Sequence, residues 1–124
     1  MVRLSESGED SPLPAGERRH QSFFSAEVHG LETDDLVVVA QGEVDMATAP
    51  ELSEAMTEAL ERSPSRLILD LTEVTFMESS GIKVVVHALN SLPAGSRMVL
   101  RRPQPAVRMV FEITDLAHLF VIED

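Results

Sequence analysis

The residues best placed to do chemistry lie in the run Asp70-Leu-Thr-Glu-Val-Thr-Phe-Met-Glu-Ser-Ser-Gly-Ile82, where two hydroxyls and a glycine separate an apolar strand from an apolar-periodic segment. Arg66-Leu-Ile-Leu-Asp70 reads as a buried strand. Ile82, Val85, Val86 and Leu89 recur at helical spacing, so Ser79 and Ser80 fall at a strand-to-helix junction. A helix N-terminus carries unpaired N–H groups and the positive end of the helix dipole, which suits a capping hydroxyl and equally a phosphate. On these grounds Ser79 is a cap or a site of modification. Ser80 reads as a supporting hydroxyl of the same turn, and Gly81 either admits a neighbouring backbone or serves packing.

Other chemistries are poorly supported by type and spacing. Asp45, Asp70, Glu73 and Glu78 have no spacing of a defined metal loop, and strand-end acids usually cap backbone or face water. Glu78-Ser-Ser-Gly81 lacks the Gly-x-Ser-x-Gly elbow of a serine hydrolase, and His87 falls on the same helix, away from the serines. His20, His29, His87 and His118 make no metal-ligand pattern. Pro93-Ala-Gly-Ser96 has neither the lysine nor the glycine spacing of a phosphate loop. The chain therefore reads as a non-enzyme without metal or cofactor. Lys83 and His87, four apart, read as a solvated helix face or as a contact for an acidic partner.

Composition narrows the partners. A formal charge of −11 argues against nucleic acid, and with five Phe as the only aromatics there is little on which to stack bases. Partners should be proteins. The chain has no cysteine, which excludes disulfide and thiol chemistry. No run approaches the roughly 20 apolar residues of a membrane span, and the amino terminus has no apolar signal region, so a cytoplasmic, non-membrane protein is expected.

The elements that must position Ser79 follow from periodicity. Residues 1–20, rich in Ser, Glu, Pro and Gly, are expected to be a disordered tail, with one domain over 21–124. A weak strand at 23–28, a turn at 30–35 and the β-branched run Leu36-Val-Val-Val-Ala40 suggest a hairpin. Thr48-Ala-Pro-Glu51 has capping-box spacing and opens a helix whose stripe is Leu52, Ala55, Met56, Ala59 and Leu60, ending before Pro64. A strand at 67–71, a helix from Ser79 to about residue 92, a turn at Pro93-Ala-Gly95 and a strand at 97–100 follow. Pro103 and Pro105 introduce a third helix with Val107, Val110 and Phe111 on one face, and a last strand occupies 119–122. This order predicts an α/β domain. It has a mixed sheet of four to five strands, an N-terminal hairpin, mostly parallel later strands and about three helices.

Three blocks together resemble the STAS domain of the bacterial anti-sigma factor antagonist family. Gly42-Glu-Val-Asp45 is similar to its acidic loop, and Phe76-Met-Glu-Ser-Ser-Gly-Ile82 to its phosphoserine motif. Pro105-Ala-Val-Arg-Met-Val-Phe111, with Leu116 and Phe120-Val-Ile122, is similar to its closing helix and strand. The family usually has Asp where this chain has Glu78, which keeps the charge and moves it one methylene outward. Asp124 directly follows the last strand, and the extra carboxy-terminal helix of many members is not expected here. The resemblance implies phosphorylation at Ser79. It also implies a contact surface made of Asp45, Glu78, Ser79 and the helix start at Ser80 and Gly81, with Lys83 at its margin. The implied partners are an anti-sigma factor serine kinase, which would hold the ATP, and a serine phosphatase. A stand-alone scaffold subunit of a signalling or lipid-transport assembly, or a small-ligand or nucleotide sensor, is the alternative.

Overall fold

Two stretches rich in β-branched and aliphatic residues, 36–40 and 67–71, lie side by side at the centre of a five-stranded sheet in the computed structural model. The structure describes residues 23–31 and 33–124, so the expected tail and its boundary at residue 21 lie outside the described residues. Strands β1 (Phe24–Gly30) and β2 (Asp35–Val44) form the expected hairpin. They are followed by α1 (Ala49–Leu60), β3 (Arg66–Met77), α2 (Ser79–Ser91), β4 (Arg97–Arg101), α3 (Pro105–Ile113), a single helical turn (Ala117–Leu119) and β5 (Val121–Glu123). The sheet order is β1-β2-β3-β4-β5, with β1 antiparallel to β2 and every later pair parallel. One helix fills each parallel crossover, as a mixed α/β sheet requires. Among the described residues no helix is long and apolar enough to cross a membrane.

Strand alternation decides what is buried. Leu36, Val38 and Ala40 of β2, Leu67, Leu69 and Leu71 of β3, and Met98 and Leu100 of β4 form one core with the helix stripes. From α1 come Leu52, Ala55, Met56 and Ala59, from α2 Ile82, Val85 and Ala88, and from α3 Val107 and Phe111. Phe111 meets Phe120 edge-on, with ring centroids 5.5 Å apart. The intervening residues Val37, Ile68 and Val99 pair in register across three strands and form a smaller cluster on the other face.

The sheet departs from the expected elements chiefly in strand length. β2 continues from Ala40 to Val44, and β3 from Leu71 to Met77, through residues too polar to be read as core strand. The extensions pair with each other: Gln41 with Glu73, Gly42 with Val74, Glu43 with Phe76, and Val44 with Met77, across two register irregularities. β4 stops at the Asp70–Arg101 pair, so beyond this point β2 is the one strand neighbour of β3 among the described residues. Local hydrogen bonds manage the change. Asp70 Oδ1 accepts the Thr72 N–H at 3.0 Å and its hydroxyl at 2.6 Å, while Gln104 Nε2 donates to the Thr72 carbonyl at 2.9 Å. Gly42 is required in the β2 extension. Its φ is +109°, and a Cβ there would lie 1.9 Å from the Phe23 carbonyl oxygen.

Leu69 is fully buried between Val38 and Leu100 in the register. Leu69→Ala is expected to lower the unfolding free energy by about 2–5 kcal/mol in urea titration, against less than about 0.5 kcal/mol for the exposed Glu54→Ala.

Candidate functional site

Because β2 and β3 are adjacent and parallel, their carboxyl ends coincide, which is where α/β sheets present their sites. The last pair is Val44 with Met77, so Asp45 and Glu78 are the first residues of two neighbouring connections. The Glu78 N–H donates to the Val44 carbonyl at 3.0 Å and fixes one connection beside the other. Asp45, Glu78, Ser79 and Ser80 are thereby brought together, with Lys83 one helical turn beyond Ser79.

The connection between β2 and α1 is folded around Asp45. Its Oδ1 accepts the Ala47 and Thr48 N–H groups at 2.9 and 3.0 Å, and its carbonyl accepts the Ala49 N–H at 2.8 Å. The Thr48 hydroxyl donates to the Glu43 carbonyl at 2.8 Å and accepts the Asp45 N–H at 2.9 Å. This corrects the expected capping box. Thr48 does precede α1, but no side chain caps this helix from that position. The hydroxyl is committed to the loop, where a charged acceptor has already organised the amides.

At α2 the expectation for Ser79 as a cap is also corrected. Glu78 occupies the cap position, with φ −110° and ψ −173°, and Ser79 is the first helical residue. Ser79 is exposed, and among the described residues its hydroxyl has no hydrogen-bond partner. Glu78 does not cap its own helix. Its Oε1 accepts the Met46 N–H at 3.0 Å and the Ser80 hydroxyl at 3.3 Å. Gly81 is buried, and a Cβ there would lie 2.6 Å from Val44 Cγ1 and 2.8 Å from Met77 Cγ. It therefore serves packing against side chains and lies beneath the surface it was expected to help form. Lys83, the chain's single lysine, is exposed, and among the described residues it makes no ion pair. His87 is exposed on the same helix.

One apolar residue that the motif reading passed over joins this surface, and a second is exposed on the adjoining strand end, on the sheet face opposite Met77. Met46 follows Asp45 and is 77% exposed; Phe76 stands opposite Glu43 in the register and is 45% exposed. The available signal was that neither belongs to a core-facing stripe. Among the described residues no cluster of three or more metal-ligating side chains is present, and Asp70 is engaged by Thr72. What the surface offers is an unengaged hydroxyl, two carboxylates, a cation and an exposed methionine on a framed base. That is the equipment of a recognition surface.

Comparison with known proteins bears on the family and the fold. A family model describing the STAS domain matches residues 25–124. The chain is 35% identical over 102 residues to the anti-sigma-B factor antagonist of Listeria monocytogenes, covering 82% of this chain and 90% of that protein. It is 30% identical over 88 residues to a protein of Bordetella bronchiseptica named as the anti-sigma factor antagonist BtrV, covering 70% and 76%. The crystal structure of an anti-sigma factor antagonist from Mycobacterium paratuberculosis superposes with a TM-score of 0.76 at 29% identity, covering 82% and 86%.

Gly81→Ala sets two effects against each other. Helix propensity favours alanine by up to about 1 kcal/mol, whereas the new methyl must displace the β-branched, stiff Val44 and the inner part of the Met77 side chain, both buried. Overpacking is expected to win, with a net loss of about 1–3 kcal/mol in urea unfolding.

Proposed function

The chain belongs to the STAS domain family, and we propose that it acts as an anti-sigma factor antagonist whose binding is switched by phosphorylation of Ser79. The observation that carries this reading is the state of the Ser79 hydroxyl. It is exposed and, among the described residues, without a hydrogen-bond partner, on the first residue of α2, beside the connection that carries Asp45. A hydroxyl held only for stability would be spent on a cap. This one is left available to a kinase and to a partner surface.

In the unphosphorylated form, Asp45, Met46, Glu78 and Ser79, with Ser80 behind and Lys83 at the edge, meet the anti-sigma factor and so free its sigma factor. That anti-sigma factor is taken to be the serine kinase, supplying ATP to a chain that lacks a phosphate loop of its own. A phosphate would add roughly −1.5 to −2 charges next to Glu78 and near Asp45. The helix N-terminus offsets part of that charge, so the fold is retained while the partner meets a larger and more negative group. A serine phosphatase would reset the surface. This places the chain in the cytoplasm, with its partner. The chain contributes a surface and no catalysis of its own. The names of its relatives favour this reading over a scaffold subunit or a nucleotide sensor.

The test is a pull-down from native lysate with wild type, Ser79→Ala and Ser79→Glu. Ser79→Ala is expected to retain an anti-sigma factor that Ser79→Glu binds roughly 100-fold more weakly, since like-charge contact costs several kcal/mol. Equal recovery of the same proteins by both variants would sink the switch.

A further inference from the structure

The amides of the connection after β2 reveal a role for Glu78 that its position before Ser79 does not require. From Asp45 to Ala49 every backbone N–H has an acceptor. Asp45 is served by the Thr48 hydroxyl, Ala47 and Thr48 by the Asp45 carboxylate, and Ala49 by the Asp45 carbonyl. Met46 alone looks outside the loop, to Glu78 Oε1, 32 residues further along the chain. The same oxygen accepts the Ser80 hydroxyl, which steadies the carboxylate in this pose. A residue at the helix-cap position ordinarily turns its side chain toward its own helix. Here the side chain crosses to the next connection.

We infer that Glu78 is a positioning residue whose carboxylate latches the Asp45 connection to the start of α2, setting Asp45 and Met46 relative to Ser79. The backbone bond from Glu78 N–H to the Val44 carbonyl fixes where the strands end, and does not by itself fix the loop beyond them. The carboxylate bond is what reaches into the loop, at the exposed residue next to Asp45. Bonds to an ionised acceptor are the stronger kind, and this one joins two segments that would otherwise move separately. Removing the carboxylate releases the exposed Met46 amide to water, and the loop's acidic and apolar tips lose their common frame. Side-chain length enters directly. Aspartate at this position has one methylene less with which to span the gap, whereas glutamine keeps an acceptor at nearly the same reach. The latch is a property of the chain alone; that it serves partner binding rests on the function proposed above.

The experiment uses the full chain, isotopically labelled, as wild type, Glu78→Gln, Glu78→Asp and Glu78→Ala. The amide proton shift and exchange rate of Met46 are read first, and then affinity for the anti-sigma factor, each with and without Asp45→Asn. Met46 exchange is expected to rise about tenfold in the Ala and Asp variants and to be restored by Gln. Affinity should fall in the same order. In the Glu78→Ala background the cost of Asp45→Asn should shrink, because a loop no longer held presents Asp45 poorly; a merely structural residue would leave that coupling near zero. An unchanged Met46 amide in Glu78→Ala would overturn the latch. A released amide with unchanged affinity and unchanged Asp45 cost would leave the latch standing and overturn its positioning role. Failure of wild type to bind any anti-sigma factor would instead bring down the partner-binding reading, and the positioning role with it, while the amide data still report whether the latch forms.

Discussion

The parallel pairing of β2 with β3, carried past the end of the apolar core to Val44 and Met77, is the constraint on which the rest depends. Without it, Asp45 and Glu78 would belong to unrelated loops. With it, both strands release their chains at one edge, and the Glu78 N–H binds the Val44 carbonyl at the point of release. The extension is built from weak material: only Val74 and Met77 of its β3 part are buried. Gly42, the Asp70–Thr72 bonds and the reach of Gln104 to Thr72 are what hold an otherwise polar pair of strands in register. A stronger apolar pattern there would have buried the surface that the acids now present.

Rigidity below and availability above are separated by one layer of residues. Gly81, Val44 and Met77 pack so closely that no added methyl fits, which anchors the first turn of α2 to the sheet. Directly above, Ser79 is exposed, and its hydroxyl is free of protein partners among the described residues. A charge placed on Ser79 is therefore added to a fixed platform. Its effect falls on whatever approaches the platform, consistent with a switch that works by contact rather than by refolding.

Much of this was legible from residues alone, and the parts that were not share a cause. The stripe Leu52, Ala55, Met56, Ala59 and Leu60 reads as α1 because one face repeats at helical spacing; the first four residues are buried and Leu60 is half-buried. Runs 36–40 and 67–71 read as strands because β-branched and aliphatic residues are continuous there. The Ser79 junction follows from the change of period between the two. The strand extensions were hidden because each is stabilised by the other, a pairing that local pattern does not encode. Thr48-Ala-Pro-Glu51 misled for a related reason: the spacing of a capping box is present, but Asp45 already accepts the Thr48 N–H that Glu51 would take, and the threonine hydroxyl turns to the Glu43 carbonyl. The part played by Glu78 depends on a backbone N–H in another connection, and its side chain gives no local sign of that partner.

The central claim is that charge at Ser79, on an otherwise unchanged fold, governs partner binding. It is tested most directly by titrating the purified anti-sigma factor calorimetrically with the unphosphorylated chain and with the chain carrying a single phosphate on Ser79. The account predicts a stable complex with the first and a loss of at least about 100-fold in affinity with the second, the two forms giving superimposable amide spectra away from residues 45–48 and 76–83. Equal affinity for both forms would contradict it.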